Sequence, residues 1–438
     1  MSEFLNSEIL ILISTTLLSG LWGLIKVWWW VPLPVILFFL LKFHYLWYIN
    51  DVWASNKNYI LFEIKIPREV ERPMKAMEQV VSNFWTFYDP PNFKEKWLEG
   101  KYQLRFTLEI VSIDGVVHFY IRIPEATKDV FESSIYSQYP DVEIMPAEDY
   151  TKKVPQNIPD GDWDFWGCDC EMVKDIYYPI KTYKSFFEPS EEIKEEKRVD
   201  PLAVLVEGMT KLHKGEQMWL QIKLEPVTNG ENQWITKGKA LVEKLAGRPA
   251  PSPRRSITGE TIRTLVTGKP PFEEEEKKEA SVIPVEMRLT PGEREIVQGV
   301  EDKISKRGFK AGIRYIYMGQ KGAFFKPNLR LGLNFFNGVS TENLNAIKPW
   351  GKTITKISPP AFARKRRLFI LKRRLFRLYC DRLPALFPGK PKNGEFLLNT
   401  EEVATLFHFP SRMGAPAPGM PRIESKKGGA PPLPSEEL

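Results

Sequence analysis

Two apolar runs open the chain: ILILISTTLLSGLWGLI at 9–25 and, after Lys26, VWWWVPLPVILFFLLKFHYLWY as far as Tyr48. A bilayer span takes about 20 predominantly apolar residues, so the pair predicts a transmembrane hairpin over 1–50 that turns between Lys26 and Trp30. Lys26, Trp28, Trp29 and Trp30 would then lie at one membrane interface, and Trp47 and Tyr48 at the other, where amphipathic rings collect. Pro32 and Pro34 fall at the start of the second run, where a missing N–H costs little. A cleaved signal peptide fits poorly, since Glu3 and Glu8 precede the first run and more membrane-grade sequence follows it. The alternative is one tilted span preceded by an interfacial helix.

From Tyr59 the period shortens to two. YILFEIKIP (59–67) alternates as a strand, and PMKAMEQVVSNFWTFY then sets Met74, Met77, Val81, Phe84 and Tyr88 on one helical face. KYQLRFTLEIVSI and VVHFYIRIP flank Asp114-Gly115, a two-residue hairpin signal. A helix (TKDVFESSIYSQY) and a short strand (DVEIMPA) complete the order β-α-β-β-α-β, that of a ferredoxin-like split βαβ domain over 51–150.

A second set of elements starts in 151–246. It comprises a strand through CDCEMVKDIYYPIKTYK, a helix capped by Asp200-Pro201, the alternating QMWLQIKLEPV and a helix over 231–247. Residues 247–285 are Pro-rich, then basic, then acidic, which predicts a long disordered insertion. Order resumes at the capping box Thr290-Pro291-Gly292-Glu293, and FKAGIRYIYMG supplies another strand within 286–410. The expected fold class is therefore α+β, with two ferredoxin-like units behind the hairpin and a Pro/Gly-rich tail over 411–438.

Lys and Arg outnumber Asp and Glu by 62 to 55 over the 438 residues, which suits an anionic neighbour without choosing between membrane and nucleic acid. Three cysteines (Cys168, Cys170, Cys380) make a disulfide framework improbable and a reducing compartment the better fit. The positive-inside rule puts the basic part on the cytoplasmic side of the inner membrane, against which Lys26 counts.

The charge concentrates in RKRRLFILKRRLFRLYCDR, 364–382. As a helix it carries Leu368, Leu371, Leu375 and Leu378 as a stripe, with Arg364, Lys365, Arg366, Arg367, Lys372, Arg373, Arg374 and Arg377 around it. Such a helix can meet anionic headgroups, contact DNA phosphates, or pack its stripe and solvate its arginines.

Other candidates are weaker. Gly351-Lys352-Thr353 lacks the upstream Gly of a phosphate-binding loop and follows Pro349; Gly268-Lys269 is followed by Pro270. Asp160, Asp162, Asp164 and Glu171 take calcium-loop spacing, but Phe165 stands where the sharp turn needs Gly, so an acidic loop packing Trp163, Phe165 and Trp166 is expected instead. Cys168 and Cys170 share a strand face with no second Cys pair to complete a zinc site, and the four histidines are scattered. Neither a catalytic set nor a cofactor is expected.

Several phrases in order carry a resemblance: FEIKIP (62–67), HFYIRIPEATKDVFESSIYSQYPDVEI (118–144), WDFWG (163–167), YPIKTYKSF (178–186), DPLAVLVEGMTKLHKGEQMWLQI (200–222), RLTPGEREIV (288–297) and FLLNTEEVATLFHFP (396–410). Together they resemble the N-terminal region of a family of membrane-anchored type IV secretion or conjugation-type ATPases, of the HerA/FtsK-like class, from very small bacteria. In that family the segment resembling RIESKKGGAPPLP leads into a RecA-like motor, which does not follow here, so ATP hydrolysis is not carried over. The resemblance implies a non-enzymatic, multi-pass membrane subunit of a secretion-like transport machine. Its implied partners are membrane lipid, a HerA/FtsK-like ATPase in trans, possible DNA cargo and further copies of itself. The competing reading is a membrane-tethered nucleic-acid-binding protein acting through 364–382; an enzyme built on the Asp160 to Glu171 loop is a third.

Overall fold

A computed structural model describes residues 20, 22–23, 26, 30–67, 72–186, 200–246, 289–359, 362–385, 392–410 and 422–423. Most of the first apolar run, Trp28, Trp29, the expected insertion over 247–285 and nearly all of the tail lie outside these residues. The chain divides into two units: residues 1–58 with 90–103, and 59–89 with 104–438.

In the first unit, helix α1 (Pro32–Ser55) opens with Pro at its first turn. Its stretch Leu33–Ser55 is, among the described residues, the one helix long and apolar enough to cross a membrane, and none of its side chains is buried. It outruns the expected end at Tyr48 because neither Gly nor Pro interrupts the chain between Pro34 and Ser55.

The second unit is built on an antiparallel sheet. Its first strands are β1 (Tyr59–Pro67), β2 (Phe106–Ile113), β3 (Val116–Pro124) and β4 (Glu143–Pro146), with α2 (Met74–Phe84) after β1 and α3 (Lys128–Gln138) after β3. β1 lies between β4 and β3, and β2 lies outside β3. Asp114 (φ 54°) and Gly115 (φ 83°) turn β2 into β3, the left-handed conformations such a hairpin demands.

The next elements repeat that order. β5 (Trp163–Met172), α4 (Pro201–Thr210), β6 (Glu216–Val227), β7 (Gly308–Gln320), α7 (Leu329–Gly338) and β8 (Ile347–Pro349) run in the sequence strand, helix, strand, strand, helix, strand. β5 sits between β8 and β7, with β6 outside β7. The difference lies between β6 and β7, where α5 (Trp234–Leu245) and α6 (Pro291–Ser305) are inserted. α6 begins with the expected capping box of Thr290 and Glu293.

The two quartets join edge to edge. β2 pairs antiparallel with β6 from Phe106↔Leu224 to Ile113↔Gln217, so the strands on either side of residue 150 share one sheet. β9 (Phe396–Asn399) adds to β7, and β10 (Arg422–Ile423) runs parallel to the end of β1.

Alternation gives each face its own layer. Phe62, Ile110, Phe119, Leu220 and Ile313 point into one core, where they meet Val81 and Phe84 of α2, Phe131 of α3, Leu205 of α4 and Phe335 of α7. α9 (Thr400–Leu406), closed by an Asn399–Glu402 capping box, packs into this layer through Val403 and Leu406. The reverse face carries Val111, Tyr120, Phe165, Trp219 and Ile316, and is covered by Tyr150, Val154 and helix α8 (Arg364–Cys380).

Candidate functional site

Helix α8 is split along its length. In its C-terminal half Leu375, Phe376 and Tyr379 are fully buried on the reverse face. Tyr379 packs 5.2 Å from Trp219, and Phe376 6.0 Å from Phe165, ring centre to ring centre. The expected leucine stripe is thus rotated: Leu368, Leu371 and Leu378 are only half-buried. Aromatic partners on β5 and β6 select positions 375, 376 and 379, which a composition-based stripe does not reveal.

The N-terminal half is open to solvent. Arg364, Lys365, Arg366 and Arg367 are exposed, and so are Phe369 and Ile370 of the next turn. Just before the helix Phe362 is 94% exposed, so rings and cations share one outward surface. Further along, Arg373, Arg374 and Arg377 are exposed, while half-buried Lys372 forms an ion pair with Asp164. Arg373 donates to Asn157 Oδ1 at 2.8 Å.

Beneath the end of α8 lies a polar cluster that sequence reasoning missed. Glu109 of β2, fully buried, accepts from Tyr150 (2.7 Å), from the Gln221 amide (2.9 Å) and from Arg382 Nε (3.1 Å). Arg382 also reaches Asp149 at 2.5 Å, and the Tyr150 and Tyr379 hydroxyls lie 2.8 Å apart. Burial would raise the Glu109 carboxyl, but the Arg382 guanidinium outweighs it and holds the pKa below the ordinary carboxylate value. The signal available in advance was a carboxylate inside the apolar strand FTLEIVSI. Its partner is 273 positions away.

A second cluster lies on the same face. Arg314 Nε donates to Asp169 at 2.8 Å, and Lys223 Nζ donates to the Leu383 carbonyl at 2.6 Å. Burial, followed by the neighbouring Arg314 charge, pushes the Lys223 ammonium well below its usual pKa. On the helix-covered face, His408 Nε2 meets Asp200 at 2.9 Å and Lys303 meets Glu402 at 3.1 Å. These acids and bases are enclosed with their partners, an arrangement that fixes neighbours rather than presents a reactive group to solvent.

The remaining sequence candidates are dispersed. Asp160 Oδ1 accepts from the backbone N–H groups of Asp162 and Trp163, Asp164 pairs with Lys372, and Glu171 pairs with Lys348. The expected acidic loop is in part strand β5, with Phe165 buried on the reverse face and Trp166 on the other, because alternation sends adjacent rings to opposite sides. Among the described residues no group of His, Cys, Asp and Glu could hold a metal. The Thr353 of Gly351-Lys352-Thr353 is buried, and its hydroxyl accepts from the Asp169 N–H at 3.0 Å, so it is committed to the sheet edge.

Of the membrane-interface residues, Lys26, Trp30, Trp47 and Tyr48 are exposed. A groove of about 790 Å³ opens between α4 and α7, floored by Val204, Leu331, Leu333 and Phe336 and flanked by Lys211 and Arg330. Compared with known proteins, the chain matches no protein-family model and no curated protein sequence.

Proposed function

We propose that this chain is a membrane-anchored, non-enzymatic subunit of a type IV secretion-like or conjugation-like transport machine that docks a HerA/FtsK-like ATPase supplied in trans. One observation carries the reading. A helix of spanning length with exposed apolar side chains accompanies a body in which buried acids pair with buried bases, Glu402 with Lys303, Asp169 with Arg314 and Glu109 with Arg382. Among the described residues two surfaces stand out for function: the groove between α4 and α7, and the free end of α8. The order of the resembling phrases supports the choice of machine. The two β-α-β-β-α-β quartets support reading the body as a fused pair of ferredoxin-like units.

In this reading α1 is the second limb of a hairpin in the inner membrane, and the basic body lies on the cytoplasmic side. The groove takes an apolar element of the motor, and nucleotide chemistry belongs to that motor. The free end of α8 takes a polyanion. Phe362, Phe369 and Ile370 among its cations favour lipid headgroups, because interfacial elements mix rings with basic side chains. DNA is the second reading there, and a steep fall in affinity with salt together with indifference to vesicles would identify it.

Partner recovery tests the proposal. Full-length protein crosslinked in native membranes and purified should bring down an ATPase with a Walker A loop, identified by mass spectrometry. Recovery of only lipid, nucleic acid or the chain itself contradicts it.

A further inference from the structure

Between α2 and β2 the chain departs from the strand pattern. Residues 90–103 belong with α1 in the first unit. The strand expected from Lys101 starts at Phe106, and the contacts of 90–103 run along one stripe of α1. Lys42 Nζ sits 4.9 Å from the Trp97 ring centre, the Tyr45 hydroxyl donates to the Trp97 carbonyl at 3.0 Å, and the Trp53 and Tyr102 rings lie 5.2 Å apart. Gly100 has φ +73°, and a Cβ there would stand 2.3 Å from the Ile49 carbonyl oxygen. Positions 42, 45, 49 and 53 recur at three and four residues, so the excursion lies lengthwise on the helix over about 16 Å.

The excursion is built rather than loose. Asn92 and Glu95 cap each other, the Asn92 N–H donating to Glu95 at 2.8 Å and the Glu95 N–H to Asn92 at 2.9 Å, and Lys101 closes on Glu95 at 3.3 Å. Its outer surface is apolar where water would be unfavourable: Phe93 is 78% exposed and Leu98 70%. Lys94 and Lys96 are exposed between them. The α1 residues ahead of the contact stripe, Leu33 to Leu41, are an unbroken exposed apolar run apart from Pro34, and Lys42 ends it. A lysine at that level keeps its stem in the apolar phase and its charge at the interface.

We propose that residues 90–103 form an interfacial foot. Phe93 and Leu98 enter the boundary between headgroups and acyl chains of the bilayer that α1 crosses, and Lys94 and Lys96 meet anionic lipid phosphates there. The inference rests on α1 being a membrane span. Its occupant is lipid because the exposed apolar surface continues that of α1 itself. The foot fixes how deep and at what rotation α1 sits, which a lone helix leaves loose.

Spin labels on the full chain test it. With Cys380→Ser removing the partly exposed thiol, and Cys168 and Cys170 fully buried, single cysteines are placed at Phe93, Leu98, Leu37 of α1 and exposed Asp129 of α3. The protein is reconstituted in nanodiscs of phosphatidylcholine with phosphatidylglycerol. Expected are collision rates shifted towards oxygen over a nickel chelate at 37, 93 and 98, and the reverse at 129. If 93 and 98 behave like 129 while 37 reports lipid, the foot is wrong and the anchor stands. If 37 also behaves like 129, both fall. Shielding of 93 and 98 from both agents overturns lipid in favour of a contact with a second copy.

Discussion

The two faces of the sheet are buried to similar depth by different means. Under α2, α3, α4 and α7 the strands present Phe62, Ile110, Phe119, Leu220 and Ile313, and the layer is held by apolar packing. Under α8 the reverse face adds Glu109, Gln221, Lys223, Asp169 and Arg314 to its aromatic packing, and the layer is held by rings and paired charge together. The comparison teaches why α8 can be basic and still dock. Its buried end is aromatic, Arg382 just beyond it locks onto Glu109 and Asp149, and the surplus cations are free for something outside.

Arg382→Ala should have the largest effect, since it leaves Glu109 and Asp149 without their cation. Removing one partner of a buried pair costs about 3–5 kcal/mol, readable as a lower denaturant midpoint of the full-length protein. Arg382→Met together with Glu109→Gln should recover much of that loss, and the coupling in a double-mutant cycle measures it. Leu375→Ala should follow, at about 2–5 kcal/mol, with increased proteolysis within 364–380 as the helix loosens.

The Asp200–His408 pair, like Lys303–Glu402, puts a charged contact on the largely apolar side. Burial opposes both charges, but each partner outweighs it, holding His408 above and Asp200 below its ordinary pKa. The folded state therefore keeps the His408 proton more tightly than the unfolded chain. That stabilisation is complete below about 6.5 and is lost as pH rises through the raised folded pKa. Asp200 contributes above its unfolded value of about 3.9 and loses it as pH falls through the depressed one. His408→Gln should cost about 1.5–3 kcal/mol near pH 6 and flatten the decline on the alkaline side, followed by thermal midpoints across pH.

Arg366→Ala with Arg367→Ala should have the smallest effect on stability, within about 0.5 kcal/mol per site. Their readout is binding: co-sedimentation of nanodisc-free, detergent-solubilised protein with anionic vesicles should weaken by about fivefold per cation removed. Unchanged binding would detach the free end of α8 from any role with lipid.

Much of the architecture was legible. The alternation in YILFEIKIP and QMWLQIKLEPV, the Asp114-Gly115 turn and the caps at Asp200 and Thr290 are local signals, and these elements formed where their residues asked for them. The joining of β2 to β6 was not legible, because edge pairing depends on which strands meet in space. The same holds for Arg382 with Glu109 and for the rotation of α8 towards Trp219, since distant partners decide both. The strand expected over KYQLRFTLEIVSI begins at Phe106 rather than at Lys101, because Tyr102 packs on Trp53 of α1 instead.

The most direct test of the docking claim is where the motor goes when this chain is removed. In native cells, the HerA/FtsK-like ATPase proposed as partner, followed by antibody, should pellet with membranes when the chain is present and move to the soluble fraction when its gene is deleted, returning on re-expression. A motor that stays with the membranes in the deletion strain contradicts the proposed role of this chain as its anchor.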